Sequence, residues 1–334
     1  MKQLVGWLKS NKTIIVVDQV MVSGANFITA ILLARLLGIE IYGVFALLWM
    51  VVLFALSLHQ ALITKPLLSF APVKKNDEQK QYYANLEFGQ WVFFASLNGL
   101  ALLLVTGANT WQYQLPYENY ILPITAIASC FLLHDFYRKV FFVQQNSIIS
   151  LVADALLYVG QMLVYAVAWG FFEIQLMHVL YTVLILNGLS VLWLMGCFSM
   201  YRIKVKNGKN TIQEHYHFSK WLGGTAILQW LSGNYFIIAA AAIIGPASTG
   251  AVRIAQNLVG LCHILFLAME TIVPIAAAKA YTEGGYPHLI LYLKGVGAKV
   301  GLVVASVLLV LATTAPWLIN QMYGNEFVPY SYVV

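Results

Sequence analysis

Nine apolar runs, each about 20 residues or longer and so able to span a bilayer's hydrocarbon as a helix, follow one another along the 334-residue chain. They lie near residues 13–37, 44–64, 88–108, 120–141, 147–171, 176–200, 220–245, 250–276 and 295–319, and a tenth begins at Phe327. Hydrophobic residues make up 60% of the chain and charged ones 10%, against about 25% charge in soluble proteins. That balance excludes a soluble globular domain, a disordered chain and a disulfide-stapled secreted scaffold. Lys2, Lys9 and Lys12 precede the first run as they would in a signal peptide. The run is too long for one, carries Asp18 and Asn26, and leads straight into a second run, so it reads as a retained first helix.

Charge placement sets the expected topology. With the amino terminus cytoplasmic and successive spans alternating, 17 of the 19 Lys and Arg residues fall on the inner side, and none lies in an outer connection. The two exceptions, Arg35 and Arg253, lie within or at the ends of spans. One miscounted helix would invert every later loop, so this segregation supports an all-α polytopic membrane protein of nine spans and the start of a tenth. The net charge of +6 is explained by topology, with no nucleic-acid partner.

All connections are short, leaving no extramembrane domain for a nucleotide or another cofactor. Cys130, Cys197 and Cys262 sit singly within apolar runs and read as small buried residues. His215 and His217 lack the third ligand a metal would need nearby. No phosphate-binding glycine loop, nucleophile elbow or catalytic carboxylate pair appears, so no enzyme activity is expected.

The sequence repeats. Ser23 to Ala30 (SGANFITA) is answered by Ser232 to Ala239 (SGNYFIIA), and Leu37-Gly38-x4-Gly43 by Ile244-Gly245-x4-Gly250, at offsets of 209 and 207. Both copies run from inside to outside, which predicts a parallel duplication with six helices per unit. Small residues in the Ser-Gly pairs are expected to permit close helix approach. The expected organisation is a six-helix amino-terminal lobe over residues 1–217 and an incomplete lobe of three helices and part of a fourth over residues 218–334. A duplicated six-helix unit calls for twelve helices, so with an end at Val334 either the chain is a fragment or the missing helices are supplied otherwise.

Charges at mid-membrane cost about 2.5–3.5 kcal/mol each on insertion scales and so need a partner or a wet cavity. The eighth span carries Arg253, Gln256, Asn257, His263 and Glu270 within an arc of about 140°, and the fifth carries Asp154, Tyr158, Gln161 and Tyr165 within about 40°. Both stripes are expected to line a shared interior or, in the plainer reading, to bind neighbouring helices. The first span adds Asp18 and Asn26, about 80° apart. Arg35 is expected to reach outer headgroups. Near the inner end of the fourth span, His134, Asp135, Arg138 and Lys139 suggest an interfacial Asp135–Arg138 pair or, alternatively, an inner gate or a headgroup contact.

Ala34 to Phe45 (ARLLGIEIYGVF), Phe136 to Gln145 (FYRKVFFVQQ), Gly245 to Leu258 (GPASTGAVRIAQNL) and Met322 to Phe327 (MYGNEF) together resemble the Wzx-type flippases of bacterial surface polysaccharide assembly, within the multidrug/oligosaccharidyl-lipid/polysaccharide exporter superfamily. The resemblance implies two six-helix lobes about a central cavity, the cytoplasmic membrane of a bacterium, and translocation of a polyprenyl-pyrophosphate oligosaccharide by alternating access. Its partners would be that substrate, membrane lipid and other polysaccharide-assembly membrane proteins. Arg253 would contact phosphate, and Gln256, Asn257, Gln161, Asp154 and Asn26 would complete the substrate site. Asp18, Asp154 and Glu270 would be the ion-coupling acids. Where such families commonly carry an acid early in the seventh span, this chain has Asn234. A cation-coupled multidrug exporter on the same scaffold, or a membrane-embedded polymerase or glycosyltransferase, are the alternatives.

Overall fold

The computed structural model describes residues 11–74, 76–110, 117–198 and 208–333, with the backbone alone at 11, 12, 76, 109, 261–272, 274–276, 278, 279 and 333. Among the described residues the chain is helical throughout, as its composition requires of a backbone surrounded by lipid. Two long helical stretches, Asn11–His59 and Pro246–Tyr323, each contain a break, at Gly38 and at Gly284–Gly285. Counting across the breaks gives nine helices: α1 (11–37), α2 (39–70), α3 (Asn76–Thr110), α4 (Glu118–Val143), α5 (Ser147–Phe171), α6 (Leu176–Phe198), α7 (Gly208–Ile244), α8 (246–283) and α9 (286–323). A 3-10 helix, Asn325–Val333, stands where the tenth run begins.

Three helix ends turn on the same device. Gly38 (φ 71°, ψ 169°), Gly245 (φ 113°, ψ 171°) and Gly324 (φ 105°, ψ 170°) all adopt a positive-φ extended conformation open to glycine alone. Gly38 and Gly245 are the paired positions of the sequence repeat, so equivalent residues fold alike.

The repeat also faces itself. A Cβ on Gly43 would stand 1.9 Å from the carbonyl oxygen of Pro246, and a Cβ on Gly250 would stand 2.8 Å from that of Ile39. At the offset of 207, Gly43 corresponds to Gly250 and Ile39 to Pro246, so the two contacts are one contact repeated about a pseudo-two-fold axis. The α1–α2 and α7–α8 hairpins therefore meet backbone to backbone at the lysine-poor end. The close approach comes here and not at the Ser-Gly pairs, since a Cβ on Gly24 or Gly233 would meet nothing within 4 Å.

α4 is buried over most of its circumference, from Ile124 through Phe141. It packs against α2, α3, α5 and α6, which makes it the central post of the first six helices. A helix so placed is expected to be apolar all round. Its four consecutive-turn polar residues, His134, Asp135, Arg138 and Lys139, break that rule and mark the site.

Candidate functional site

His134 and Arg138 are one turn apart and share a face of α4, whereas Asp135 points about 100° away. Two polar centres result, one on either side of the helix. Arg138 Nη2 donates to Asp18 Oδ2 of α1 at 2.5 Å, and Arg138 Nε lies 2.5 Å from Asp154 Oδ2 of α5. His134 Nε2 stands 3.2 Å from the other Asp154 oxygen. Both aspartates are fully buried, and Asp18 Oδ1 accepts no hydrogen bond within the described residues. The guanidinium also stacks 5.0 Å over the Phe142 ring, and Ser150 Oγ donates to the Arg138 carbonyl at 3.1 Å.

Charge counting gives this centre its chemistry. Two carboxylates share one guanidinium, so with His134 neutral these four side chains carry one negative charge in excess, with Lys139 of α4 within electrostatic reach of both aspartates and of Asp135. A low-dielectric interior resists an uncompensated charge strongly, and the centre becomes neutral on taking up one proton or one monovalent cation.

On the other side of α4, Asp135 Oδ2 accepts from Thr64 Oγ1 at 2.8 Å and Oδ1 from Gln60 Nε2 at 3.5 Å. His59 Nδ1 lies 3.7 Å from Asp135, and its Nε2 meets Gln90 Oε1 of α3 at 3.1 Å. The pairing expected within α4 is thus replaced by two pairings across helices: Asp135 turns to α2 and Arg138 to α1 and α5. Both centres adjoin a widened π turn, Gln60–Thr64 in α2 and Ala155–Val159 in α5, directly after Asp154. Such turns occur preferentially at functional sites.

The eighth-span stripe occupies a third place, at the junction of the two hairpins. Arg253 Nη1 donates to Gln256 Oε1 at 3.0 Å, while its buried Nη2 has no hydrogen-bond partner among the described residues. Asn257 Nδ2 donates to the Tyr323 hydroxyl of α9 at 2.8 Å. The Tyr42 side chain of α2 is buried within electrostatic reach of both Arg253 and Tyr323. Gln161 and Asp154 of the fifth-span stripe are buried, and Tyr165 donates to the Val179 carbonyl of α6 at 3.2 Å. That stripe therefore faces the interior of the first six helices, with the α1–α2 hairpin packed against both α5 and α8. Asn26 is exposed on α1, and Asn234 bonds the Trp230 carbonyl of its own helix. The Glu270 and His263 side chains lie outside the described residues.

A family of proteins described as polysaccharide biosynthesis proteins has a model that matches residues 32–332. The chain belongs to that family. Its part in polysaccharide biosynthesis, as a multi-pass membrane protein, follows from this match and from the helices. Comparison with curated proteins and with solved structures gave no match.

The matched span takes in a further polar contact that sequence reasoning assigned to lipid. Arg35 donates through Nε to the Met322 carbonyl at 2.7 Å and through Nη2 to that of Gln321, and its Cζ lies 5.0 Å from the Trp169 ring centroid. It thereby caps the carboxyl end of α9, where carbonyls lack partners and the helix dipole is negative. A cavity of about 570 Å³ opens beside it, lined by Gly38, Trp169, Tyr323, Asn325 and Glu326 among others.

Proposed function

We propose that this member of the polysaccharide biosynthesis family carries a polyprenyl-pyrophosphate oligosaccharide across the bacterial cytoplasmic membrane during surface polysaccharide assembly. The observation that carries the reading is the half-buried Arg253 guanidinium where the two hairpins meet, whose buried Nη2 has no hydrogen-bond partner among the described residues. A guanidinium binds phosphate oxygens through two parallel hydrogen bonds, which a drug cation would not require. Gln256, Asn257 and Gln161 supply amides for sugar hydroxyls, with Asp154 and Asn26 as further candidates, and the polyprenyl tail stays in lipid. No covalent bond is made or broken.

Coupling is assigned to the Asp18–Arg138–Asp154 centre, whose spare negative charge calls for one cation, with Glu270 as a further candidate acid. Alternating access about the repeat axis would expose Arg253 to one side at a time.

The test replaces Arg253 in cells that depend on this protein for surface polysaccharide and measures polymer at matched protein level. Arg253→Ala is expected to abolish output and Arg253→Lys to retain a fraction of it. Normal output from Arg253→Ala would remove Arg253 from the site.

A further inference from the structure

In a regular α-helix the Leu62 carbonyl would accept from the N–H of residue 66. That residue is Pro66, which has none. The orphaned oxygen is taken by α7: His215 Nδ1 donates to it at 3.1 Å and Ser219 Oγ at 3.3 Å. Because a carbonyl only accepts, Nδ1 carries the proton, and in the neutral ring Nε2 accepts from the Tyr82 hydroxyl at 2.6 Å. The Leu62 side chain covers Gly223, where a Cβ would stand 3.1 Å from Leu62 Cδ2. Around this point Phe70 packs edge-on to Phe218, Asn85 donates to Thr211 at 3.0 Å, and Lys74 meets Glu214 at 3.3 Å. These contacts join α7 to the first six helices at the lysine-rich end.

Leu62 is the middle residue of the π turn Gln60–Thr64, and the two ends of that turn are the residues that donate to Asp135. The turn is thus gripped from inside by an acid of the central helix and presents its orphan carbonyl to α7. A π turn holds one residue more than the α-helical turn it replaces, so converting it to α-helix would rotate the Leu62 carbonyl by about 100° relative to Asp135. The grip and the docking cannot both survive that rotation.

We propose that Asp135 controls the docking of α7 on α2 at the lysine-rich end, through the π turn Gln60–Thr64. The Asp135 carboxylate keeps the turn widened by accepting from Thr64 and Gln60, and the widened turn aims the Leu62 carbonyl at His215 and Ser219. Loss of the Thr64 hydrogen bond releases α7 without any direct contact between Asp135 and α7. This inference does not depend on what the protein carries.

The test is the rate of oxidative cross-linking between Leu62→Cys and Gly223→Cys, introduced together in a background with Cys130, Cys197 and Cys262 replaced by alanine, in native membranes without substrate. Adding Thr64→Val is expected to slow cross-linking about fivefold, the shift carried by one net hydrogen bond of about 1 kcal/mol. Thr64→Ser, which keeps the donor, is expected to restore the rate, and Thr182→Val, whose hydroxyl bonds its own helix, to leave it unchanged. Asp135→Asn should slow it at least as much as Thr64→Val. An unchanged rate in Thr64→Val, or no recovery in Thr64→Ser, would overturn the proposal.

Discussion

The backbone of Gly43 rests on the backbone of Pro246 with no space between them for a side chain. The mirrored contact of Gly250 on Ile39 is looser by almost an ångström, at 2.8 Å against 1.9 Å for a Cβ on Gly43. A methyl group at position 43 must therefore push α2 away from α8, whereas one at position 250 asks for a smaller shift.

Gly43→Ala is expected to lower the melting temperature in detergent more than Gly250→Ala, and both more than Gly24→Ala, where a Cβ meets nothing within 4 Å. Overpacking of this kind costs about 1–3 kcal/mol or more. Thermal unfolding followed by size-exclusion fluorescence checks the order; equal melting temperatures for Gly43→Ala and Gly24→Ala would contradict the packed axis.

The Asp18–Arg138–Asp154 centre makes a prediction about sign. Arg138→Ala leaves two buried carboxylates facing each other, and removing one partner of a buried ion pair costs about 3–5 kcal/mol. Asp18→Asn removes the excess charge and keeps Arg138 paired with Asp154. Folded yield should fall sharply for Arg138→Ala and little for Asp18→Asn, and adding Asp18→Asn to Arg138→Ala should recover part of the loss. No recovery would mean that the three groups do not act as one charge unit.

Arg35 predicts a local effect. Replacing it by alanine frees the Gln321 and Met322 carbonyls at the end of α9, which should raise hydrogen exchange at residues 317–323 by about three- to tenfold, matching a lost contact of about 0.5–1.5 kcal/mol. Arg35→Lys should protect only partly, because an ammonium lacks the planar fork that spans two carbonyls. Exchange measured by mass spectrometry after reconstitution reads both variants.

Much of this architecture is legible in the chain. The nine apolar runs became nine helices among the described residues, and Gly38 and Gly245 announced both the hairpins and the repeat. Asp18 and Asp154 stood out because ionised groups are rare at such depth. Their partner did not: Asp135 and Arg138 sit at the i, i+3 spacing of a surface pair, and only the buried, all-round packing of α4 sends them to opposite neighbours. The π turns leave no periodic signature. Pro66 was a usable signal, since a proline four residues after Leu62 orphans one carbonyl, but which helix claims it depends on tertiary contacts. Arg35 misled for a similar reason, because a helix end 286 residues away competes with the headgroups for it.

The most direct measurement reconstitutes the protein in liposomes with a fluorescent polyprenyl-pyrophosphate oligosaccharide and follows, with a membrane-impermeant quencher, how much label reaches the outer leaflet. The account predicts that wild-type protein equilibrates the label between leaflets while Arg253→Ala leaves the inner pool protected. Equal protection in protein-free and wild-type liposomes, or equal movement with wild-type and Arg253→Ala, would contradict it.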